Sequence, residues 1–61
     1  MTNAEVFQFS CRVIRTKSES LIQALKLMVN ELEKNKMISV EDISVYLNDE
    51  EVWFVTAYYA S

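Results

Sequence analysis

The sequence predicts a small α+β domain: one β-α-β-β unit in which a single helix lies on one face of a three-stranded antiparallel sheet. Three observations carry this. An alternating apolar and polar stretch opens the chain, a long segment of helical period follows, and two further alternating segments close it around an acidic turn.

Residues 5–15, "EVFQFSCRVIR", set Phe7, Phe9, Cys11 and Val13 on one side and Gln8, Ser10 and Arg12 on the other. That pattern predicts a strand with one buried side, and the lone cysteine packs within it. "TKSE" then holds Thr16 three residues before Glu19, the spacing of a capping box, with Ser18 as the other candidate cap. Leu21, Ile22, Leu25, Met28, Val29 and Leu32 fall within about 120° of arc on a helical wheel, which predicts a helix over 18–35. Leu27 is the large apolar residue outside that stripe. Lys34 and Lys36 suit the negative end of the helix dipole, and Asn35 suits a left-handed stop.

"ISVED" at 38–42 interrupts the alternation, so a turn or bulge is expected there. Ile43, Val45 and Leu47 then share one face, with Ser44 and Tyr46 on the other, and predict a strand over 43–48. The acidic turn "NDEE" connects it to a strand over 52–60. A two-residue loop at Asp49-Glu50 pairs Leu47 with Val52, Tyr46 with Trp53 and Val45 with Phe54, and centring the loop on Asn48-Asp49 keeps the same faces. A loop of odd length mixes those faces, and the expectation sets it aside.

A helical crossover makes the first and second strands parallel. The most apolar strand, 52–60, belongs in the middle, giving sheet order 1-3-2. On this reading the helix covers Phe7, Phe9, Val13, Val45, Phe54 and Tyr58. The opposite face then carries Tyr46, Trp53, Val55, Ala57 and Tyr59, an apolar centre with a polar margin, and is expected to be a homo-oligomer interface. A chain of 61 residues is near the lower limit for a self-sufficient core, which also favours association.

Composition removes several function classes. Glycine and proline are both absent, so there is no phosphate-cradling loop, dinucleotide fingerprint or glycine-supported nucleophile elbow, and left-handed turn positions are expected at Asn or Asp. One cysteine and no histidine leave no expected catalytic residue, metal site or cofactor. The net charge of −3 opposes nucleic acid and anionic membranes as partners. No segment has the length and apolar character of a membrane span, and a cytoplasmic location is the default expectation. Asp49, Glu50 and Glu51 read as a solvated hairpin tip, as do Glu41 and Asp42 at the strand start. Arg12, Arg15 and Lys17 are the one basic concentration.

The strand–helix–strand–strand order and the segment "TKSESLIQAL" resemble the dodecins, small flavin-binding proteins that assemble into hollow dodecamers. That resemblance implies a ligand-storing assembly with a flavin-type ligand. Dodecins stack flavin on a tryptophan soon after the helix, whereas this chain reads "KMISVEDI" there and has its tryptophan at position 53. The leading expectation is a non-enzymatic homo-oligomer that binds another protein as a regulator or inhibitor. Its partner would meet the polar helix face of Gln23, Lys26, Leu27, Asn30, Glu31 and Lys34, or a sheet edge. Weak single-stranded nucleic-acid binding through the aromatic sheet is a further alternative.

Overall fold

The computed structural model describes residues 11–61. Four elements follow in the order β1 (Arg12–Ser18), α1 (Leu21–Lys34), β2 (Ser39–Leu47) and β3 (Trp53–Ala60). β3 is central and antiparallel to both neighbours, giving the strand order β1-β3-β2, as the sequence predicts. The expectations for Phe7, Gln8, Phe9 and Ser10 lie outside the described residues.

Local chemistry sets the ends of each element. Ser20, not Thr16 or Ser18, is the N-cap of α1: its Oγ accepts from the Gln23 amide at 3.3 Å. Ser18 Oγ instead accepts from the Ser20 amide, and Thr16 Oγ1 donates to the Ala24 carbonyl at 2.7 Å, tying β1 to the first turn. The helix stops in a Schellman arrangement, with the Met37 amide bonded to the Leu32 carbonyl and the Lys36 amide to that of Glu33. The left-handed residue is Lys36 (φ 55), whereas Asn35 keeps φ −89 and its side chain donates to the Glu31 carbonyl. The expected irregularity after the helix is a bulge: the register shifts between Val40 and Asp42, leaving Glu41 as the extra residue.

The hairpin corrects the face assignment. Asn48 and Val52 close a loop of the three residues Asp49, Glu50 and Glu51, through Asn48 N to Val52 O at 3.1 Å. Glu51 N donates to Asn48 O at 3.1 Å, and Glu51 sits at φ 60, a tight turn followed by a left-handed residue. Asn48 Oδ1 accepts from both the Glu50 and Val52 amides at 2.9 Å, which secures the tip without glycine. The odd loop pairs Leu47 with Trp53, Tyr46 with Phe54 and Val45 with Val55. Every partner therefore moves by one relative to the expected pairing, and Ile43, Val45 and Leu47 join Trp53, Val55, Ala57 and Tyr59 on one face.

That united face is the one α1 covers. Ala24, Met28 and Leu32 of the helix and Val55, Ala57 and Tyr59 of β3 form the buried core, with Ile14, Leu21 and Trp53 packed against it. Val55 and Ala57 are wholly buried. The expected arrangement is thus inverted for β1 and β3, with Phe54 on the face away from the helix instead of beneath it, whereas Val45 and Tyr46 of β2 keep their expected sides. Val13 and Tyr58, assigned to the core, are exposed on the other side of the sheet, and Ile14 takes the place beneath the helix. Cys11 is exposed rather than packed.

Candidate functional site

Among the described residues, two surfaces of the sheet lack a covering element, and they differ in chemistry. The face turned away from α1 carries Val13, Arg15 and Lys17 of β1, Phe54, Thr56 and Tyr58 of β3, and Asp42, Ser44 and Tyr46 of β2. Its centre is polar. Thr56 is buried, and Arg15 Nε donates to its Oγ1 at 3.0 Å. The Tyr46 and Phe54 rings tilt together, with centroids 6.3 Å apart, beside a shallow basin of about 420 Å³ lined also by Arg15, Ser44, Asn48 and Thr56. A planar group bearing a negative charge suits the ring pair and the guanidinium. The neighbouring Asp49, Glu50 and Glu51 of the hairpin tip oppose it electrostatically.

The second surface is apolar and lies on the helix side. Among the described residues, α1 packs on β1 and β3 and not on β2. Consequently Val40, Ile43, Val45 and Leu47 stand 41–49% exposed on the covered face of the sheet, beyond the reach of the helix. Part of the apolar helix stripe is also uncovered: Ile22 is 65%, Leu25 36% and Val29 53% exposed. Those three lie about 60–120° around the helix from its buried line through Met28. In the right-handed sense that strand–helix–strand crossovers take, that direction leads from β3 toward β2. β2 and the uncovered flank of α1 thus present aliphatic side chains on the same side of the sheet, as the floor and wall of an open corner with no contact between the two elements.

The predicted interface residues divide between these surfaces and the core. Val55, Ala57 and Tyr59 are sealed beneath the chain's own helix, Trp53 is half-buried against the same core, and Tyr46 stands exposed on the opposite face. They form no single outward patch. Gln23, Lys26, Leu27, Asn30 and Lys34 are exposed along α1 and Glu31 is partly so, but Leu27 lies on the flank away from Ile22 and Val29. Sequence reasoning missed the corner because it counted the whole stripe from Leu21 to Leu32 as core. The signal was its breadth, since one helix resting on two strands buries a narrower band.

No helix among the described residues is long and apolar enough to cross a membrane, and none of their Cys, Asp or Glu side chains gather into a group able to hold a metal ion. No protein-family model matches the chain, and comparison with curated proteins and with solved structures found no match in either.

Proposed function

We propose that this chain is a non-enzymatic protein-interaction module that grips an apolar segment of its partner in the corner between β2 and α1. One observation supports it above the others: seven large aliphatic side chains, from Ile22, Leu25 and Val29 of α1 and Val40, Ile43, Val45 and Leu47 of β2, are exposed on the same side of the sheet. Contiguous apolar surface of this kind marks interaction sites in soluble proteins, whereas isolated exposed side chains do not. Aliphatic surface recognises aliphatic or aromatic side chains and performs no proton or group transfer, so binding is the chemistry on offer.

The test is capture of partners from the native host by tagged protein, compared with a Val29→Glu variant. Val29 is exposed and outside the core, so the variant should keep its far-UV circular dichroism while losing the captured partner. Undiminished capture by the folded variant would count against the reading. The Arg15 basin favours a second, ligand-binding reading, in which absorbance above 300 nm copurifies with the protein and disappears in Arg15→Ala.

A further inference from the structure

We propose that a second copy of this chain pairs along the edge of β2 that no described residue pairs with, about a two-fold axis normal to the sheet, and joins the two described three-stranded sheets into one. The proposal rests on the reading of the β2–α1 corner as an interaction surface and identifies the chain that sits beside it.

The two edges of the sheet are unlike. β1 carries Arg12, Arg15 and Lys17 within seven residues, the cationic protection that edge strands use against pairing. β2 has no lysine, arginine or proline, every one of its nine residues is exposed, and Ile43–Leu47 contains no charge at all. Its only acids, Glu41 and Asp42, lie toward one end, beside the bulge. An antiparallel pairing centred near Ser44 sets the acids of one copy against the uncharged end of the other. Parallel pairing would bring them together. Joining β2 to a partner's β1 would be head-to-tail and open-ended, whereas β2 with β2 closes at two copies.

Side-chain surface agrees. Across the new seam, Ile43 of each copy becomes the lateral neighbour of the other's Val45 at about 5 Å, and Leu47 lies opposite the end that carries Glu41. The seven corner side chains expose on the order of 400 Å² of apolar area per copy. A stable interface needs about 800 Å² per partner, and edge pairing buries only the lateral sides of the β2 side chains and the strand backbone, so the flanks of α1 stay open and the dimer belongs to the weak, concentration-dependent class. The operation keeps both helices on one face, with the flanks bearing Ile22, Leu25 and Val29 turned toward each other. Resting on β1 and β3 of its own copy, each axis stands about four strand spacings from the other, roughly 19 Å. Packed helices stand 8–10 Å apart, so the two half-corners would join into one apolar trough about a helix wide.

Sedimentation equilibrium of the full chain at about 100 µM tests the proposal, with hydrogen exchange on the same sample. The expected result is twice the 7.1 kDa subunit mass, with slower exchange at β2 amides than at β1 amides at that concentration and loss of the β2 protection on dilution. Ser44→Lys and Val45→Lys should each weaken dimerisation at least tenfold. Ser44→Lys lies on the face away from the core and keeps the test open if Val45→Lys fails to fold. A 7.1 kDa parent, or a dimer unaffected by Ser44→Lys, overturns the proposal. A monomeric parent whose partner capture is still lost in Val29→Glu would sink the dimer while leaving the proposed function standing, and a dimeric parent, weakened by Ser44→Lys, whose capture survives Val29→Glu marks the opposite failure.

Discussion

Replacing Glu51 by glycine should stabilise the protein, and the reason lies in one backbone angle. Glu51 adopts φ 60 to close the three-residue hairpin, in a chain that has no glycine to place there. A residue with a Cβ carries a cost of about 1–2 kcal/mol in that region. Glycine removes it but adds roughly 0.5–1 kcal/mol of unfolded-chain freedom. The Glu51 amide still donates to the Asn48 carbonyl in Glu51→Gly, since that bond needs only backbone. The net gain should be about 0.5–1 kcal/mol, or roughly 2–8 °C in Tm for a domain of this size. Thermal melts followed by circular dichroism at one fixed protein concentration measure it, because self-association would otherwise tie Tm to concentration. Glu51→Val, which puts a β-branched residue at the same angle, should melt below the parent. If Glu51→Gly melts no higher than the parent while Glu51→Val is harmless, the loop does not hold the left-handed residue at position 51, and the register argument loses its anchor.

Other perturbations probe the core and caps. Met28 is 1% exposed at the centre of the helix–sheet contact, so Met28→Ala should cost about 2–5 kcal/mol and leave much of the protein unfolded in a room-temperature urea titration. Asn48→Ala removes an oxygen that accepts from two amides, and the expected loss is about 1–2 kcal/mol, with faster exchange of the Glu50 and Val52 amides. Ser20→Ala should cost about 0.5–1 kcal/mol by denaturant unfolding, the lower part of the N-cap range because its bond is long at 3.3 Å.

How far the fold can be read from residues alone varies along the chain. The helix is legible because its apolar positions recur with a period that no strand shares, and the order β1-β3-β2 follows from a crossover helix plus a tight hairpin. The break at "ISVED" is legible as well, since Val40 and Ile43 are out of phase in any unbroken strand. β1 is harder: Val13 and Ile14 are adjacent apolar residues, and either could face the helix. The interaction surface was not legible as a place. Ile22, Leu25 and Val29 look like core on a helical wheel, and only the lateral position of α1 over β1 and β3 leaves them uncovered.

The amino-acid order alone determined the kinds of elements, their succession and the centrality of the last strand, because hydrophobic period and connection length are local properties. It could not determine which side of the sheet faces inward. β3 is apolar on both sides, so its own pattern is silent, and the decision passes to the parity of the hairpin loop. Asn48 capping two amides and Glu51 accepting a left-handed angle make that loop three residues long, and one residue more or fewer exchanges the faces of β3 relative to those of β2. Tertiary contact confirms the choice on β3, where Ala24, Met28 and Leu32 of α1 bury Val55, Ala57 and Tyr59, and the odd loop brings Ile43, Val45 and Leu47 to that same side.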